Sequence, residues 1–175
     1  MIGTGRIKRI GASGMALVAT AILLCQFPSA ASADAMALTN DTVLDRIKIE
    51  DMMVEYYTVL SSEDHNPLGG YFTENAVLDL EGRLLKGRDA IQKLYNEVRD
   101  SKLVPGSHNS TLLNNPRITI HGNTAEMDAL WTVVLSDVIT APPRLIEHGT
   151  DHAEFVKKDG RWLITKRIVV NYSGG

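Results

Sequence analysis

His108 and Asp151 are the residues whose type and setting point to proton transfer. A histidine titrates near neutrality and can serve as acid or base. His108 opens an otherwise apolar, strand-forming run. In strict alternation it shares a face with Leu112, Ile118 and Ile120, while Asn109, Thr111, Asn115, Arg117 and Thr119 fall on the other. A bulge at Pro116 would reverse the phase of everything before it. Asp151 shares a face with Ala153 and Phe155, which makes it a candidate second proton carrier. His148 and His152 flank Asp151 and suggest a metal motif. Along a strand, however, four residues span about 13 Å, too far for both imidazoles to bind one ion. No metal site is expected. Asp64-His65 reads as a capped loop beside a helix end.

These residues need elements to hold them. Thr39, Asn40 and Asp41 offer N-caps for a helix whose apolar residues, Ile49, Met52, Met53, Tyr56 and Leu60, fall at helical spacing. Asn66-Pro67 and Gly69-Gly70 break it. A hairpin around Glu81-Gly82 follows. Then comes a second amphipathic helix with Ile91, Leu94, Tyr95 and Val98 on one side. From residue 108 onward the pattern is strand, with turns at His121-Gly122-Asn123, Pro142-Pro143 and the run Lys157-Lys158-Asp159-Gly160. On the strand after His121, Ala125, Met127, Ala129, Trp131, Val133 and Leu135 share a face, so Trp131 looks inward. On the last strand Trp162, Ile164, Ile168 and Val170 share one face, and Arg167, Val169 and Asn171 the other. Helices followed by antiparallel hairpins predict an α+β domain with the helices packed on one sheet face.

Residues 1–33 stand apart. Arg6, Lys8 and Arg9 precede the apolar run Met15 to Phe27, and small-x-small sites follow at residues 31–33 and 33–35. That order is a secretory signal peptide, and its apolar run is too short to span a bilayer comfortably. The expected mature chain is exported, periplasmic or secreted, and begins near Asp34. The full chain's one cysteine, Cys25, lies in the signal and is lost with it, so disulfides and thiolate metal sites are excluded from the mature chain. The whole chain carries −3, and residues 1–33 hold three basic residues and no acid, so the mature chain carries −6. An acidic chain without a basic cluster is a poor binder of nucleic acid or of anionic membranes. Nucleotide fingerprints, a P-loop and G-x-S-x-G are absent from the sequence.

Phe72-Thr73-Glu74-Asn75-Ala76, Gly87-Arg88-Asp89-Ala90-Ile91 and the later stretches "NPRITIHGNTAEMDALW" and "KKDGRWLITKR" resemble the SnoaL-like branch of the NTF2-like superfamily. The resemblance spans nearly all of residues 34–175. It implies a curved antiparallel sheet wrapped around N-terminal helices with an internal apolar pocket. It also implies cofactor-free chemistry and a homodimer or higher oligomer. Dehydratases of this branch carry a tyrosine on the first helix, an aspartate five residues later and a histidine on the strand after the second helix. Here the tyrosine position falls on Tyr56 and the aspartate position on Ser61, with Glu63 and Asp64 the nearest acids. The histidine position is best filled by His108. The expected function is therefore acid/base chemistry (elimination, isomerisation or aldol-type) on a small apolar or aromatic molecule such as a plant-derived phenolic. His108, Tyr56 and Asp151 would carry it, with Phe72, Leu112, Trp131, Val133 and Asn171 against the substrate. A non-catalytic ligand-binding module is the alternative, favoured by Ser61.

Overall fold

The computed structural model describes residues 39–62, 64–100, 107–138 and 141–173. The expected export signal, residues 1–33, lies outside the described residues. Helix α1 (Asn40–Leu60) starts as its sequence dictates. The Thr39 side chain accepts from the Thr42 N–H, and the Thr42 side chain accepts from the Thr39 N–H. A short 3₁₀ turn (Leu68–Tyr71) follows Pro67. After it come β1 (Phe72–Leu80), β2 (Arg83–Lys86), α2 (Arg88–Asp100), β3 (His108–His121), β4 (Thr124–Ser136), β5 (Arg144–Lys158) and β6 (Arg161–Asn171). Tight turns fall at the predicted places. Glu81-Gly82 and Asp159-Gly160 both adopt positive φ, the conformation that two-residue hairpins demand.

The six strands form one curved sheet in the order β2-β1-β6-β5-β4-β3. Four of its pairs are antiparallel, but β1 and β6 run parallel, so the sheet is mixed rather than purely antiparallel. The cause is topological. The β3–β6 meander brings the chain back to β1 in the direction in which β1 left.

Four register shifts interrupt the sheet. One lies between Phe72 and Val77 on β1, and the three on β3, β5 and β6 decide which residues of those strands face the helices. On β3, Asn115 and Pro116 together oppose Ala129, and Asn115 adopts φ +50°. On β5, Ile146 is the extra residue opposite β4. On β6, Thr165 is the extra residue opposite β5. The β3 bulge reverses the phase of the strand. Ile118 and Ile120 are buried, whereas His108 and Leu112 are exposed on the outer face. The expected common face of these four residues is therefore corrected. Asn tolerates positive φ and Pro has no N–H to offer the ladder, so the pair suits a bulge.

The core lies between the sheet and the two helices. Ile49, Met53 and Tyr57 of α1 and Ile91, Leu94 and Tyr95 of α2 pack on Phe72, Met127, Trp131 and Phe155. Near its start α1 is also tied down by charge. Asp45 is buried, with Lys157 Nζ at 2.8 and 3.0 Å from its two oxygens and the Trp162 indole N–H at 3.2 Å. Burial acts to raise this carboxyl, but the bonds from Lys157 and Trp162 outweigh it and hold the group below the usual carboxylate range. A depressed carboxyl stabilises the fold above its unfolded pKa, and that contribution is lost as pH falls through the folded value. Asp45→Asn is expected to cost about 2 kcal/mol at neutral pH. In urea titrations at stepped pH, its stability should also fall less than wild type on acidification below about pH 4.

Candidate functional site

Asp151 lies mid-strand on β5, fully buried on the face that packs against the helices with Ala153 and Phe155, as its alternation predicted. Its partner is Arg167. Sequence parity placed Arg167 opposite Ile164, but the extra residue at Thr165 turns both inward, and only 3% of Arg167 is exposed. Arg167 Nε lies 3.0 and 3.1 Å from the two Asp151 oxygens, and Nη2 lies 2.9 Å from Oδ2. A bidentate pair of this geometry is what makes two buried charges tolerable.

Three tyrosines complete the cluster. The Tyr57 hydroxyl donates to Asp151 Oδ2 at 2.7 Å and accepts from Arg167 Nη2 at 2.8 Å. Arg167 Nη1 donates to the Tyr56 hydroxyl, which in turn bonds the Tyr95 hydroxyl of α2. The guanidinium lies 4.5 Å from the Tyr56 ring centre and 5.2 Å from that of Tyr57, within cation–π range. Tyr56 and Tyr57 are adjacent on α1, and their rings meet edge-on with centres 5.5 Å apart. Tyr56 also packs edge-on against Tyr71, Phe72 and Tyr95.

Electrostatics fix the protonation of the set. Burial pushes all three phenols above their ordinary range, with Arg167 pulling the other way. Burial acts to lower Arg167, but the Asp151 carboxylate raises it further, so it stays a cation. The network is an ion pair carrying neutral hydroxyls, extended from Arg167 through Tyr56 to Tyr95. Every fully buried side-chain nitrogen and oxygen among the described residues has a partner.

The remaining candidates divide. Trp131 is buried, and its indole N–H donates to the Thr150 carbonyl at 3.1 Å. It lies so close to β5 that a Cβ on Gly149 would sit 2.8 Å from its ring. Phe72 is a core residue beside Tyr56, and Val133 is partly buried at the edge of the core. Asn171, at the end of β6, donates to Glu147 Oε2 at 3.5 Å and lies outside the cluster. Leu112 is 46% exposed. His108 opens β3 opposite Ser136 and is exposed, away from the tyrosines. Ser61, where the resemblance places an aspartate, is a tie. Its hydroxyl donates to the Tyr57 carbonyl at 2.9 Å and accepts from the Thr111 N–H at 2.7 Å. His65 is buried, with ring nitrogens 3.0 Å from the Tyr95 and Leu60 carbonyl oxygens, so it links α2 to the end of α1. Among the described residues no group of His, Cys, Asp and Glu could hold a metal ion, and no helix is long and apolar enough to cross a membrane.

Residues 41–168 match the family model of the SnoaL-like domain. The chain belongs to the SnoaL-like family. Its solved neighbours agree in fold. An NTF2-like protein with a cystatin-like fold from Novosphingobium aromaticivorans is 19% identical, with a TM-score of 0.65, over 77% of this chain and 86% of that one. A proposed scytalone dehydratase from the same organism is 19% identical, with a TM-score of 0.62, over 77% and 90%. A Mycobacterium tuberculosis protein of unknown function is 20% identical, with a TM-score of 0.66, over 78% and 77%. At these identities the likeness establishes the SnoaL-like, NTF2-type fold alone. No curated protein is similar enough in sequence to match the chain.

Proposed function

We propose that this SnoaL-like domain is a cofactor-independent acid/base enzyme, a lyase or isomerase, acting on a small aromatic or phenolic carbonyl compound. The observation that carries the reading is Arg167, which donates at once to Asp151 and to Tyr56, whose hydroxyl ends on Tyr95. The network so formed has two arms. On one, Tyr57 donates to Asp151, so the Tyr57 oxygen can take a proton while passing its own to the carboxylate. On the other, Tyr95 gives its proton to a developing enolate oxygen and is refilled by Tyr56. The proton removed from the carbon α to the carbonyl stays on Tyr57, and the one Tyr57 gives up leaves Asp151 protonated. The proton delivered to the enolate leaves a phenolate on Tyr56, against the Arg167 cation. Arg167 exchanges one counter-anion for another, so the charge of the cluster is unchanged throughout. A β-hydroxyl leaves as water with the proton that Asp151 returns through Tyr57, or that proton is returned at another carbon. In either case the enol O–H proton goes back through Tyr95 to Tyr56, which restores the starting state. The neighbour described as a proposed scytalone dehydratase is consistent with elimination.

A second reading has its own support. Ser61 is committed to backbone ties and the network is internally satisfied, which suits a binding module without chemistry. Turnover separates the two. A panel of phenolic ketones, with and without a β-hydroxyl, is expected to yield chelator-insensitive product for at least one ligand that binds. Saturable binding with no product from any member would leave the binding module standing.

A further inference from the structure

A cleft of about 240 Å³ lies between α1, the 3₁₀ turn and the β5–β6 turn, outside the buried network. Met52, Tyr71 and Trp162 form its apolar walls, and Lys48, Glu55 and Arg161 form its rim. Trp162 is 5% exposed and its indole N–H is already committed to Asp45, so only ring surface is left for a ligand. Lys48 and Arg161 are exposed, and neither side chain makes a hydrogen bond or ion pair among the described residues. Lys48 contributes to the field on Asp45, but Lys157 already meets that carboxylate directly. Glu55 is the cleft's lone acid, and its charge is directed at the Tyr71 hydroxyl. The rim thus carries one net positive charge on a chain of net charge −3.

We propose that this cleft is a binding site for a monocyclic aromatic carboxylate. The ring would lie among Met52, Tyr71 and Trp162, and the carboxylate would be held by Arg161 and Lys48. An arginine fork matches a carboxylate in two bonds, and lysine adds a point charge. Drug-sized ligands fill cavities of about 300–1,000 Å³, so this smaller space suits a single ring. An amine would meet two cations against the single Glu55 carboxylate, and a neutral ring would leave both cations unpaired. Tyr71 also packs edge-on against Tyr56, their ring centres 5.6 Å apart, so the cleft shares a wall with the network without sharing its polar groups.

Benzoate, benzyl alcohol and benzylamine, titrated calorimetrically, test the proposal. Benzoate is expected to bind at one site, more weakly as salt rises, and the other two far less. Lys48→Gln and Arg161→Gln should each weaken benzoate about five- to tenfold, and the double variant should abolish it. Glu55→Gln should tighten it about two- to threefold by removing the opposing charge. Both rim cations are exposed, so these variants fold as wild type does. Tyr95→Phe should bind benzoate normally, which keeps this site distinct from the one under Proposed function. Benzyl alcohol binding as tightly as benzoate, full benzoate affinity in the double variant, loss of affinity in Tyr95→Phe, or no saturable binding would each overturn the proposal.

Discussion

Arg167→Met is expected to lower the unfolding free energy by about 3–5 kcal/mol, the usual cost of leaving a buried charge without its partner. Asp151 has no side-chain exposure, and after the change its carboxylate would keep, among the described residues, the Tyr57 hydroxyl as side-chain partner and no counter-charge. The cost should be largely conditional on that charge. Asp151→Leu combined with Arg167→Met removes both ions and should recover much of the loss. Some deficit will remain, because Tyr56 and Tyr57 each lose a hydrogen-bond donor. Urea unfolding of wild type, both single variants and the double variant gives the coupling directly. Strictly additive losses would mean that the two side chains do not act as a pair, and the electrostatic account of the network would fail.

Tyr95→Phe should have a large effect of a different kind. The ring keeps its contacts with Tyr56 and Phe72, and only the terminal hydroxyl of the network goes. Tyr56 loses one partner, worth about 1 kcal/mol of stability. Removing a single oxyanion donor typically lowers kcat by about 10²–10³-fold. Turnover should therefore collapse in a protein that still folds. His108→Ala, on the outer face, is the matched control and should leave both rate and stability unchanged.

Much of this arrangement was legible in the sequence. Helix periodicity, the Gly and Pro punctuation and the two-residue turns gave α1, α2 and the hairpins. Alternation gave the inward faces of Trp131 and Asp151. Bulges hid the rest, because one added residue moves every later side chain to the other face. Thr165 does this to Arg167, and nothing in "ITKRIVV" marks the extra residue. Asn115-Pro116 does it to His108 and Leu112, and there the pair itself carried a signal. Tyr57 was missed for another reason. α1 has apolar residues on its outer side as well, with Leu44, Ile47 and Val54 each about half exposed, so its pattern does not single out one face. Tyr95 was expected on the buried side of α2. Its link to Tyr56, 39 residues away, is a product of tertiary packing that no local pattern encodes.

Deuterium uptake tests the central claim most directly, since it reports proton abstraction whether or not the product is known. Phenolic ketones that bind the protein would be incubated in deuterated buffer and examined by NMR at the carbon next to the carbonyl. Wild type is predicted to exchange one of the two hydrogens there stereospecifically, with His108→Ala matching it and Tyr95→Phe at least about a hundredfold slower. Exchange that is equally fast in Tyr95→Phe, or absent for every ligand that binds, would contradict acid/base catalysis by the Arg167–Tyr56–Tyr95 network.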